Sequence, residues 1–134
     1  SFYTHLSPEL LNNLPDKIKI LPFIHQMNLA YSIADIIISR AGALAISEIS
    51  TVGIPAILIP FPYAAEDHQT KNAQALVNEN AALMISDAEV KEKLFPMLSQ
   101  LINNENECET LKNNIKHFAQ PNAIQLIYQE ILNI

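Results

Sequence analysis

The sequence has one cysteine, two glycines, no tryptophan and no surplus of positive charge, and each shortage removes a class of protein. With Cys108 alone there is no internal disulfide and no cysteine-based zinc site, and a reducing compartment such as the cytoplasm suits the chain. Lys and Arg number 8 against 14 Asp and Glu, so there is no clustered basic face of the kind that binds nucleic acid. No run approaches the roughly 18 apolar residues of a membrane span. The first residues also lack the basic and apolar segments of a secretory leader, so a soluble chain is expected. His5, His25, His68 and His117 show no metal-ligand spacing, and neither a metal nor a cofactor is expected. There is no Walker-type glycine loop and no nucleophile elbow, which leaves P-loop NTPase and serine hydrolase readings without residues.

What is present is a 134-residue chain, 49% hydrophobic, long enough for one domain with a core. From residue 16 to 86 short apolar runs alternate with helical patterns, the mark of βα units and a parallel sheet. Strands are predicted at Lys17 to Leu21, Ile36 to Ser39, Ala56 to Ile59 and Ala82 to Ile85. Helices fit Gln26 to Ala34, Leu44 to Val52 and Gln69 to Asn78, the second closed by Gly53 as its carboxyl-terminal cap. After Asp87 the pattern is helical. Asp87 is read as the cap of a helix through about Asn103 with Pro96 kinking or splitting it, and further helices fit Glu107 to Phe118 and Asn122 to Leu132. At the front, Ser7-Pro8-Glu9 is a compact helix start. Four strands make a thin sheet, so a preceding βα unit is expected to be missing.

Ligands of such sheets bind beyond the carboxyl ends of the strands, which directs attention to the loops there. The segment SRAGALAISE, 39 to 48, reads as a strand entering a helix through a sharp turn at Gly42. The first-turn amides of that helix suit a phosphate, and Glu48 lies further along it. Arg40 could meet phosphate, pair with Glu48, or serve a local ion pair. The loop PFPYAAEDHQ is long and proline-rich, and Gln69 offers a donor and an acceptor suited to sugar hydroxyls. Asp67 and His68 could orient that glutamine or bind directly; alternatively Asp67 caps the helix and His68 is solvated. Phe23 and Ile24 could form a slot for a base, or belong to the core.

The pieces PFIHQM (22 to 27), AYSIADIIISRAGALAISEI (30 to 49), GIPAILIPFPYAAEDHQTKNA (53 to 73) and NAALMI (80 to 85) together resemble the MurG family of glycosyltransferases. That family moves N-acetylglucosamine (GlcNAc) from UDP-GlcNAc to the lipid-linked muramyl pentapeptide of peptidoglycan synthesis. The resemblance implies an α/β, Rossmann-like carboxyl-terminal domain of a GT-B enzyme, with the amino-terminal acceptor domain absent from these residues. It further implies that the Ile24 backbone meets the uracil, that the amides of Ala43, Leu44 and Ala45 cradle the diphosphate, that Glu48 holds the ribose, and that Gln69 holds the GlcNAc hydroxyls. The substrate-binding set is completed by Ile46 and Ser47, with Phe23, Arg40, Gly42, Asp67 and His68 as further candidates. No catalytic residue falls in the chain, because the family's base lies in the other domain.

Three departures from the family pattern stand out. Ala45 replaces a common threonine, Asn80 a common glycine, and His25-Gln26 an acidic pair. Two other readings share these residues: a GT-B transferase with a different donor, and a nucleotide-sugar-binding subunit that works with a separate partner. An exposed sheet edge left by missing strands would invite self-association.

Overall fold

The computed structural model describes residues 7–119, and the helix expected over Asn122 to Leu132 lies outside them. The chain divides into two compact units, Ser1–Ile33 and Ala34–Ile134.

The first unit carries helices α1 (Pro8–Asn12) and α2 (Met27–Ile33), close to where Pro8 and the apolar spacing place them. Its expected strand, Lys17 to Leu21, does not form. A strand exists through a ladder partner, and no second strand occurs among the described residues of this unit. The apolar residues Ile18 and Leu21 are therefore left 52% and 59% exposed.

The second unit is the βα layer. Strands β1 (Ile37–Ser39), β2 (Ala56–Leu58) and β3 (Leu83–Met84) form a parallel sheet in the order β1-β2-β3. Ile37 pairs with Ala56 and Ile57 with Leu83. The sheet has three strands where four were expected, for the reason just given. Between the strands run α3 (Ala43–Val52) and α4 (His68–Asn78), and α5 (Val90–Ile102) and α6 (Glu105–Ile115) follow. β2 is buried at every residue, as a central parallel strand should be. Ile57, Ile85, Leu101 and Leu111 form the centre of the core, so the carboxyl-terminal helices seal one face of the sheet.

Gly53 ends α3 as expected, at φ 73°, and its N–H donates to the Ile49 carbonyl at 2.8 Å. Asn80 also sits at positive φ, 50°, a conformation asparagine tolerates, and Asn114 Nδ2 donates to the carbonyls of Glu79 and Asn80 at 3.2 and 3.0 Å. Three helix expectations are adjusted by the structure. Asp87 does not cap α5: Ser86 precedes a 3-10 turn over Asp87–Glu89, and the Asp87 carboxylate is engaged by Arg40. Pro96 lies inside α5 without splitting it. The helix predicted from Glu107 starts at Glu105, where Asn104 Oδ1 accepts from the Glu107 N–H at 3.1 Å, and it closes in a 3-10 turn over Lys116–Phe118.

Candidate functional site

β1 ends at Ser39 and α3 begins at Ala43, so three residues, 40–42, make the connection. The Ile46 N–H donates to the Gly42 carbonyl at 3.0 Å, which is the first bond of α3. The amides of Ala43, Leu44 and Ala45 precede it, and the cap residue, Gly42, has no side chain to bond them. This end of α3 lies at the carboxyl side of the sheet and carries the positive end of the helix dipole. Glu48 stands exposed on the second turn, while Ile46 and Ser47 are half-buried.

Gly42 is used differently from the expected sharp turn. Its φ of -68° and ψ of 148° are ordinary extended values open to any residue. What the glycine supplies is an absent side chain at the helix entrance: a Cβ there would meet Gln69 Nε2 at 3.9 Å.

Gln69 ties two loops together. Its Oε1 accepts from the Ala41 N–H at 3.2 Å and from the Phe61 N–H at 2.9 Å. Both partners are donors, which fixes the carbonyl end of the amide. The acceptor expected to serve sugar hydroxyls is thus occupied by backbone, and the Nε2 donors remain beside Gly42. Asn72, one turn further along α4, donates from Nδ2 to the Ala41 carbonyl at 3.2 Å. Both backbone groups of Ala41, itself at 0% exposure, are held by α4. Asn72 was not singled out from the sequence, although its i, i+3 spacing from Gln69 placed both amides on one helix face.

Arg40 serves the strand ends. Its Nη1 donates to the carbonyls of Ile59 and Pro60, each at 3.3 Å, and pairs with Asp87 Oδ1 at 2.5 Å. The guanidinium carbon lies 5.6 Å from the centre of the Phe61 ring. This ion pair joins residues that follow β1 and β3 across β2, 47 positions apart in the chain, so Arg40 is engaged in an ion pair within the fold.

The loop after β2 is strained where it meets α4. Glu66 and Asp67 both take left-handed φ, 52° and 57°. Asp67 occupies the position before α4, yet its side chain makes no capping bond, so the reading of Asp67 as a helix cap is not realised. His68 is exposed, with Nε2 3.5 Å from Glu66 Oε2. In the first unit, Phe23 and Ile24 are 68% and 40% exposed, so neither is core, and Phe23 meets His25 edge to face at 4.9 Å. No group of three or more His, Cys, Asp or Glu with metal-binding geometry occurs among the described residues.

A parallel sheet with flanking helices and tethered loops at its carboxyl edge defines a Rossmann-like α/β domain. Residues 3–127 match the glycosyltransferase family 28 C-terminal domain, and the chain belongs to that family. A similar protein is the UDP-N-acetylglucosamine--N-acetylmuramyl-(pentapeptide) pyrophosphoryl-undecaprenol N-acetylglucosamine transferase of Cytophaga hutchinsonii, 48% identical over 89% of this chain and 32% of its own length. The protein of the same name from Porphyromonas gingivalis is 41% identical over 98% of this chain and 35% of its own. The crystal structure of Acinetobacter baumannii MurG superposes with a TM-score of 0.76 at 36% identity, over 87% of this chain and 33% of that one. The chain thus spans about a third of the length of these relatives.

Proposed function

We propose that this chain is the donor-binding part of an inverting glycosyltransferase that moves GlcNAc from UDP-GlcNAc to undecaprenyl-diphospho-muramyl-pentapeptide. The observation that carries the reading is the entrance of α3, where the cap residue Gly42 puts no side chain over the amides of Ala43, Leu44 and Ala45 and leaves the approach open. A diphosphate seated there is met by N–H donors and by the helix dipole, and the same groups stabilise the negative charge that grows on UDP as it leaves. Glu48 would take the ribose hydroxyls, and Gln69, its carbonyl already engaged, would meet the sugar through its Nε2 donors. Ile24, as backbone partner of the uracil, is assigned on resemblance.

The acceptor and the base that deprotonates its hydroxyl belong to the part of the relatives that this chain does not match. The transferase as a whole would work at the cytoplasmic face of the bacterial inner membrane. Among the described residues no helix is long and apolar enough to cross a membrane, and contact with the bilayer is assigned to the other domain. No metal enters the reading. Among the described residues β1 and β3 each have a ladder partner on one side, so a free sheet edge is where two copies of the isolated chain would associate.

The chain alone should bind UDP-GlcNAc and transfer nothing. A coupled assay for UDP release with the lipid acceptor is expected to stay at background; turnover would contradict the division of labour.

A further inference from the structure

Asn72 stands outside every set of donor contacts derived above, yet it holds the residue that leads into the diphosphate cradle. Its Nδ2 donates to the Ala41 carbonyl at 3.2 Å, while Gln69 Oε1 accepts from the Ala41 N–H at 3.2 Å. Ala41 is fully buried and Gly42 follows it, with the Gly42 carbonyl accepting the first bond of α3 from Ile46. The plane of the 41–42 peptide fixes where Gly42 points, and Gly42 fixes the direction of the amides of Ala43, Leu44 and Ala45. Asn72 also lines a groove of about 310 Å³ with Ala43, Ile46 and Ser47, so it is half-buried between α3 and α4.

We infer that Asn72 is a positioning residue for the donor diphosphate: it aims the first-turn amides of α3 by holding the Ala41 carbonyl. The inference rests on the proposed donor site. The alternative role for such a side chain is packing, and the chemistry separates the two. Asn72→Asp keeps the shape, but an ionised carboxylate has no hydrogen to donate and sets two acceptors face to face. A packing role tolerates that exchange, whereas a positioning role loses aim and recovers it when the carboxyl is protonated.

The test is titration of the 134-residue chain with UDP and with uridine, followed by amide NMR, for the unaltered protein, Asn72→Ala and Asn72→Asp. Losing one half-buried hydrogen bond predicts that UDP affinity falls roughly tenfold in both variants at neutral pH. Uridine, which lacks the diphosphate, should be unaffected, and the amide signals of Ala43 to Ala45 should move. On acidification Asn72→Asp should regain affinity relative to the unaltered chain at the same pH, while Asn72→Ala should not. Undiminished UDP binding by a folded Asn72→Asp, or equal losses for UDP and uridine, would overturn the inference alone. Absence of UDP binding by the unaltered chain would overturn the donor site and the inference with it. If Asn72→Ala fails to fold, the aspartate variant and its pH response carry the test.

Discussion

Ser50 is fully buried on α3, and its hydroxyl has no hydrogen-bond partner among the described residues. An unpaired buried hydroxyl costs desolvation with nothing returned, so Ser50→Ala should stabilise the chain by about 1 kcal/mol. A denaturant midpoint that stays put or falls would show that the hydroxyl is satisfied. Cys108 makes the opposite use of burial: its thiol donates to the Leu101 carbonyl at 3.2 Å, and desolvation, helped by Glu107, Glu109 and Glu105, pushes its pKa above the ordinary 9.0. The folded state therefore holds the proton longer than the unfolded one. Stability from this group is full below pH 9.0 and is lost as the pH rises through the folded value. Alkylation of Cys108 should be slower than that of a free thiol at pH 8; equal rates would show an open thiolate. At this scale Gly53 and Asn80 were legible in the sequence because each marks a local backbone turn. The Arg40–Asp87 pair was not, since it spans 47 positions and exists only once β1 and β3 flank β2.

The elements themselves followed from periodicity. The strand cores at Ile37–Ser39 and Ala56–Leu58 and the helices α3 and α4 lie within a residue or two of their expected places, because each is set by local spacing and a terminator. Lys17 to Leu21 failed because alternation describes a face, whereas a strand needs a partner, and partnership is not written in the segment. The end of α3 gives a sharp test. Gly53 stands at φ 73°, where a Cβ would lie 2.9 Å from Lys116 Cγ, so Gly53→Ala should cost roughly 1–2 kcal/mol from backbone strain, beyond moving that lysine. No loss on thermal or chemical unfolding would mean that the left-handed cap is not held in solution. The loop entering α4 runs the other way: Glu66 adopts φ 52° with a β-carbon, and Glu66→Gly should relieve strain of about 1 kcal/mol at the expense of a surface contact to His68.

The parallel sheet sends the loops after β1 and β2, which carry the candidate site, to one edge. Gln69 and Asn72 then bind those loops to α4, so the cradle is set by helix side chains and not by the loops alone. The sequence displayed the pieces of the site in order, including Gln69 as a polar group at a helix entrance. It could not display that the glutamine's carbonyl is consumed internally, because Ala41 and Phe61 reach it only in the folded chain. Calorimetric titration with UDP-GlcNAc, for the unaltered chain and Glu48→Ala, tests this account most directly. Saturable binding to the unaltered chain is expected, weakened roughly tenfold in Glu48→Ala by loss of a charged hydrogen-bond partner for the ribose. No binding to the unaltered chain, or equal affinity in both, would contradict it.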